Sequence, residues 1–279
     1  MKRHLSLLAI APLRNSWYAQ ACLLGRQRRA EEALAALRAG LDEGSWYNPE
    51  ALVTEPGLVD VRPLLDPIVQ ECKDRRSRRR AETRPLCLVL SPSTTLWDQQ
   101  TVLLLHGRAD SARHFAEPWR ALVDEGWTLV VPQSSQPWDS ESWCWDDEDR
   151  ARREILTHLD ECRMKRGLDP ARMVAAGASD GARRAVEIGH EAGIPWLCVI
   201  PTFPAGYDAA PLASVPRHTR GVFLIGENDP ENVWSRPVLS ALQGAGASVE
   251  VRTMPGVGHE LPPDFAVRAS EALGLLELG

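Results

Sequence analysis

Residues 173–192 read MVAAGASDGARRAVEIGHEA. The opening MVAAG is apolar without polar alternation, as expected of a strand covered on both faces. Ala182–Ala192 follows with helical patterning. Between them stands Gly177-Ala178-Ser179-Asp180-Gly181, a G-x-S-x-G. A chain that passes from strand to helix in so few residues leaves no room for bulk at the flanking positions. It also lifts the Ser179 hydroxyl above the end of the sheet. Glycine and serine are common, so the pattern alone says little; set between an apolar run and a helix, it predicts a nucleophile.

The texture on either side agrees. LCLVL (86–90), TVLLLH (101–106), TLVVP (128–132), LCVIP (197–201), GVFLIG (221–226) and VEVRTM (249–254) read as further strands. Helical patterns at Ser111–Glu125, Glu148–Lys165, Gly181–Ala192, Glu231–Leu242 and Asp264–Leu276 separate most of them. Such alternation predicts an α/β fold with a mostly parallel sheet flanked by helices, and ligands beyond the carboxyl ends of its strands.

A serine hydroxyl needs a base within hydrogen-bond reach to become nucleophilic. His259, in the loop MPGVGHELPP after the last strand, is the candidate, with glycines on either side of Val257 to let that loop bend back. His158 and His190 fall in helical patterns and His218 in a Pro-rich loop, while His114 is at most a neighbour of the site. The imidazolium needs a carboxylate to orient and stabilise it. Asp229, in the turn GENDPEN, is the first choice; Glu227 and Asp208 compete for the role. The developing oxyanion needs preorganised N–H donors. The amide of Asp180 follows the nucleophile, and that of Arg108 lies in the loop His106-Gly107-Arg108, where Gly107 lets the chain turn and His106 holds the loop. The carboxylate of Asp180 beside a developing anion has no explanation in the sequence. QSSQPWDSESWCWDDEDR (133–150) carries Trp138, Trp143 and Trp145, either an apolar acyl pocket and partial lid or a packed loop.

LLLHGRADSA, GASDGAR, IGENDP and GVGHE, in this order, resemble the α/β-hydrolase superfamily over about residues 84–279. They look most like its phospholipase/carboxylesterase and acyl-protein-thioesterase branch. The resemblance implies an α/β-hydrolase fold and serine-dependent hydrolysis of carboxylic esters or thioesters, with no cofactor and no metal. That branch usually has Gln after the nucleophile and a second Gly after the elbow, where this chain has Asp180 and Ala182. A prolyl-oligopeptidase-like peptidase and a non-catalytic hydrolase-fold binding module are the alternatives.

Upstream the pattern is all helical. WYAQACLLGRQRRAEEALAALRAGLDEG resembles a single tetratricopeptide-like hairpin, and YNPEALVTEPGLVDVRPLLDPIVQEC resembles the segment that closes such a unit. One repeat cannot bury a core alone, which points to docking on its neighbour or to a homodimer through these helices. KDRRSRRR (73–80) reads as a solvated helix end and linker, so the expected division is a helical unit at 1–80 and a catalytic domain at 81–279.

Composition bounds the rest. The chain has 279 residues, 44% hydrophobic and 25% charged, which suits a globular protein. Residues 1–84 carry net charge +4 and the remainder −10, so the main body is acidic and a nucleic-acid surface is not expected. No run is apolar enough to span a membrane. The six Cys are scattered, with no C-x-x-C pair, and read as reduced thiols. MKRHLSLLAIAPLR imitates a signal peptide, but Arg14 ends its short apolar run and no A-x-A site follows. A cytoplasmic enzyme acting on a small-molecule ester is the expectation.

Overall fold

The computed structural model describes residues 16–93, 100–214, 219–276 and 278. The signal-like start and His218 lie outside them. The described chain divides into two compact units.

The first unit comprises residues 16–84 together with Ser135–Cys144. Helices Ser16–Arg26 and Ala30–Asp42 pack together and are followed by Pro49–Thr54 and Asp66–Glu82. Close approach explains its small residues: a Cβ on Gly25 would stand 1.8 Å from the carbonyl oxygen of Gly57. Tyr47, Leu37, Leu52 and Leu58 fill the core, and the Tyr47 hydroxyl donates to the Leu37 carbonyl at 2.9 Å. KDRRSRRR belongs to the helix Asp66–Glu82 rather than to a linker; there Arg75 donates to the Ser45 carbonyl and Arg76 pairs with Glu50. The segment Ser135–Cys144 departs from a single cut near residue 80. It forms a two-stranded hairpin, and its Ser140 N–H donates to the Trp46 carbonyl at 3.2 Å.

The second unit is built on a seven-stranded sheet. Its strands are β1 (Leu86–Leu90), β2 (Thr101–Leu105), β3 (Thr128–Gln133), β6 (Met173–Ala178), β7 (Trp196–Val199), β8 (Arg220–Gly226) and β9 (Ser248–Met254), with β4 (Gln136–Pro137) and β5 (Trp143–Cys144) making the hairpin of the other unit. The order is β1-β3-β2-β6-β7-β8-β9, with β1 antiparallel and every other pairing parallel. Strands β2, β3, β6 and β7 are buried at every position, which is why their sequences lack alternation. The edge strands β1 and β9 are partly exposed; β9 carries polar residues, whereas β1 is apolar throughout. This is the expected mostly parallel sheet with flanking helices, an α/β-hydrolase-like fold.

All seven predicted sheet strands are present. Most element ends lie within one or two residues of the reading, and two of the differences have a clear local reason. The helix expected at Ser111–Glu125 is broken into Ala112–Ala116, a 3-10 turn Glu117–Trp119 and Ala121–Asp124, because Pro118 has no N–H to continue the ladder. β7 stops at Val199 because Ile200 takes φ +40° and turns the chain out of the sheet.

Candidate active site

Five neighbouring parallel strands, β2, β6, β7, β8 and β9, end on the same side of the sheet, and each is followed by a residue of the site. Ser179 stands at the end of β6, in the middle of the order. It has φ +55° and ψ −122°, a conformation that residues with a side chain rarely adopt. The glycines around it are obligatory. A Cβ on Gly177 would meet the Gly181 carbonyl oxygen at 2.3 Å, and one on Gly181 would meet the Leu105 carbonyl oxygen at 2.1 Å.

His259 and Asp229 complete a hydrogen-bonded chain. Ser179 Oγ lies 3.0 Å from His259 Nε2, and His259 Nδ1 lies 2.7 Å from Asp229 Oδ2. Both partner side chains are almost wholly buried, at 4% and 0% exposure. The other Asp229 oxygen accepts from the Glu231 N–H at 2.9 Å, so the carboxylate is anchored on both sides. With Asp229 as acceptor, Nδ1 carries the imidazole proton and Nε2 is left free to accept one from the serine.

The histidine loop rests directly on the end of β8. A Cβ on Gly226 would stand 2.4 Å from the Gly258 carbonyl oxygen. Glu227 fastens this loop, accepting from the Gly256 N–H at 2.8 Å. Asp208 is exposed and caps its own turn at Ala210. Neither alternative carboxylate is the histidine's hydrogen-bond partner.

The loop after β2 comes up against Ser179. A Cβ on Gly107 would lie 3.5 Å from Ser179 Cβ, and Ala109 turns the chain at φ +58°. His106 is fully buried beneath it. Its Nε2 accepts from the Ser134 N–H at 3.3 Å, which puts the proton on Nδ1 for donation to the Gly107 carbonyl at 2.8 Å. Trp145 stacks on that ring with centroids 4.6 Å apart and donates to the His106 carbonyl at 2.8 Å. With no exposed surface, Trp145 supports the loop from below instead of lining a pocket. Trp138 and Trp143 belong to the hairpin of the helical unit. The helix Asp180–Ala192 begins immediately after Ser179, so the Asp180 N–H has no acceptor within the helix.

Two features were not anticipated. Thr202, after β7, brings its hydroxyl within 3.2 Å of Ser179 Oγ and 3.3 Å of His259 Nε2. Its only sequence signal is its place at the end of a strand. The second is a buried ionic cluster around Asp180. Arg183 bonds Asp180 Oδ1 through Nε at 3.1 Å and Nη2 at 2.7 Å, and reaches Glu148 at 2.7 Å. Arg184 pairs with Glu187 at 2.8 Å and donates to the Trp145 carbonyl, while Tyr207 donates to Glu187 at 3.0 Å. Burial pushes the Asp180 pKa up, but Arg183, Arg108 and Arg184 outweigh it and leave the carboxyl below its usual range. The Asp180–Arg183 spacing of three residues was the visible clue.

Among the described residues, no group of three or more His, Cys, Asp or Glu is gathered as a metal site, and no helix is long and apolar enough to cross a membrane.

No protein-family model matches the chain, and no curated protein matches its sequence. Solved structures resemble it in fold. A protein described as uncharacterized from Bacillus cereus ATCC 10987 is 22% identical, with 94% of this chain and 86% of that one covered and a TM-score of 0.58. The Bacillus cereus carboxylesterase is 19% identical over 72% of this chain and 99% of its own, with a TM-score of 0.56. A dienelactone hydrolase-like promiscuous phosphotriesterase from metagenomic libraries is 14% identical over 71% and 95%, with a TM-score of 0.60.

Proposed function

We propose that this chain is a serine hydrolase that cleaves carboxylic esters or thioesters of small molecules through an acyl-enzyme. The observation that carries the reading is the unbroken hydrogen-bonded chain Ser179–His259–Asp229 mounted on a strained strand-to-helix turn. Solved structures with this fold include a carboxylesterase and an esterase, which is in keeping with it.

In this mechanism Ser179 Oγ attacks the acyl carbon as its proton passes to His259 Nε2, and Asp229 stabilises the resulting imidazolium. The Asp180 and Arg108 amides receive the oxyanion, the former aided by the positive end of its helix. His259 then protonates the leaving alcohol or thiol, and water discharges the acyl group. Gly107 leaves space beside the nucleophile. We assign the leaving group to the thioesterase-like or esterase-like class on the strength of the sequence motifs, and read the helical hairpin as tetratricopeptide-like and a candidate homodimer contact. All six cysteines are free thiols, which suits a reducing, cytoplasmic setting.

The test is Ser179→Ala assayed with p-nitrophenyl acetate and a fluorophosphonate probe. Hydrolysis should fall by at least about 10⁴-fold and labelling should vanish, with the circular dichroism spectrum unchanged. Undiminished turnover would refute the assignment. A series of acyl esters, acyl thioesters and aminoacyl amides would separate an esterase or thioesterase from a peptidase; a non-catalytic module would leave Ser179 unlabelled in the unsubstituted protein.

A further inference from the structure

Thr202 is held where a hydroxyl can serve the second half of the reaction. Its short run, Ile200-Pro201-Thr202-Phe203, is tied down at every residue. The Ile200 N–H donates to the Leu224 carbonyl at 2.7 Å, Ser235 Oγ donates to the Pro201 carbonyl at 3.4 Å, and Phe203 is fully buried. The Thr202 N–H itself donates to the carbonyl of Ser179 at 3.2 Å. The threonine is therefore fastened to the nucleophile's own backbone, and its Oγ1 is placed 3.2 Å from Ser179 Oγ and 3.3 Å from His259 Nε2.

The proton inventory decides what that hydroxyl does. His259 Nδ1 donates to Asp229, so Nε2 offers one lone pair, and the serine proton takes it. In the resting site the Thr202 hydroxyl is accordingly a donor to Ser179 Oγ. Acylation turns Oγ into an ester oxygen, a poor acceptor, and frees the threonine for another partner. A water placed at an ordinary hydrogen-bond length of about 2.8 Å can reach Nε2 and Oγ1 together, because those atoms are only 3.3 Å apart.

We propose that Thr202 is the positioning residue for the hydrolytic water: the water donates one O–H to His259 Nε2 and the other to Thr202 Oγ1, leaving a lone pair directed at the acyl carbon. This rests on the acyl-enzyme reading above. The water oxygen bonds to the acyl carbon, one of its protons passes to Nε2, and the carbonyl electron pair moves to the oxyanion. On collapse the carbonyl reforms, the bond from carbon to Ser179 Oγ breaks, and Nε2 returns its proton to Oγ as the acid departs. Thr202 neither gains nor loses a proton. An alcohol has a single O–H and can meet the threonine only by accepting from it, as Ser179 does in the resting site. That bond draws electron density from the attacking oxygen, whereas the water's donation to Oγ1 adds to it, so the threonine favours water over an alcohol as acyl acceptor.

That preference is measurable as the ratio of acetic acid to methyl acetate formed from p-nitrophenyl acetate in aqueous methanol. The ratio reports only how the acyl-enzyme is discharged and is independent of how much protein is folded or how fast it is acylated. Thr202→Val should lower it roughly five- to tenfold, the effect of one lost hydrogen bond, and Thr202→Ser should restore it. Thr202→Ala serves the same test should the valine fit poorly. A trapped, slowly discharged acetyl-enzyme in either variant would also support the proposal. A ratio equal to that of the unsubstituted enzyme in Thr202→Val or Thr202→Ala overturns it. Hydrolysis surviving in Ser179→Ala would instead bring down the acyl-enzyme reading itself, so the two failures are told apart.

Discussion

Ser179 adopts φ +55° and ψ −122°, and the strain in that conformation can be weighed by comparing two substitutions that both remove the hydroxyl. Ser179→Ala loses Oγ, with its contacts to His259 and Thr202, but keeps the Cβ that makes the conformation costly. Ser179→Gly loses the same oxygen and also the Cβ. The difference between the two variants therefore isolates the strain from the hydrogen bonds. A residue forced into so sparse a region costs about 1–3 kcal/mol. Glycine takes back about 0.4–1 kcal/mol through the greater freedom of the unfolded chain. The glycine variant should come out the more stable by about 1.5 kcal/mol, which for a unit of this size corresponds to a melting temperature about 3–6 °C higher than that of the alanine variant. Urea melts should give the same sign with unchanged slope. Neither variant should react with a fluorophosphonate. A glycine variant that melts at or below the alanine variant would refute the claim that the turn holds its nucleophile under strain.

Gly181→Ala puts a Cβ 2.1 Å from the Leu105 carbonyl oxygen. Backbone must move, so kcat/KM should fall about 100-fold from misplacement of the nucleophile, with a clear loss in melting temperature; full activity would show that the turn can yield. Asp229→Asn should cost about 10³–10⁴ in kcat, whereas Asp208→Asn, at an exposed turn cap, should leave kcat unchanged. Arg183→Met strips the buried Asp180 of its main counter-charge and should destabilise the protein by about 3–5 kcal/mol, read by chemical denaturation. Burial lowers the pKa of His158 below its ordinary 6.5, and its buried Nε2 has no hydrogen-bond partner among the described residues. The fold favours the neutral ring, so this contribution to stability is intact above pH 6.5 and declines as the pH falls from there towards the lowered value. His158→Leu should narrow the gap between melting temperatures at pH 7.5 and pH 5.5; an unchanged gap would contradict it.

The strands were legible because β2, β3, β6 and β7 are covered on both faces and so are apolar throughout. The flanking glycines of the elbow were legible because sterics allow nothing larger there. What the sequence could not display was contact between residues distant along the chain. Thr202 matters because β7 pairs with β6, and nothing in the tetrapeptide Ile200–Phe203 announces a partner 23 residues away. Trp145 read as pocket or packing with equal ease, since a tryptophan beside a site looks the same in either role. Its indole N–H on the His106 carbonyl and its zero exposure put it beneath the loop. Pro118, by contrast, was a visible helix breaker whose local effect outweighed the apolar periodicity around it.

Asp180 shows how local chemistry and the demands of a site are reconciled. Its amide stands at the start of the elbow helix, where the proposed mechanism calls for a donor, yet its side chain would bring a negative charge close to the anion that mechanism develops. The carboxylate is 5% exposed, so water cannot screen it. Arg183 does so instead, with two hydrogen bonds to the same oxygen, while Arg184 and Arg108 add attraction from further off. Those guanidiniums need partners of their own, and Glu148 and Glu187 supply them. A single acidic residue after the nucleophile thus requires a paired cluster extending into the helix Glu148–Arg166. The elbow is consequently held by charge as well as by sterics. Removing Asp180 alone would leave Arg183 with only Glu148 and Glu187, and removing Arg183 alone would leave the buried Asp180 without its hydrogen-bonded counter-charge. Only a paired exchange of Asp180 and Arg183 for apolar residues of similar volume removes both charges of that pair together, and that double variant should recover stability that either single one loses.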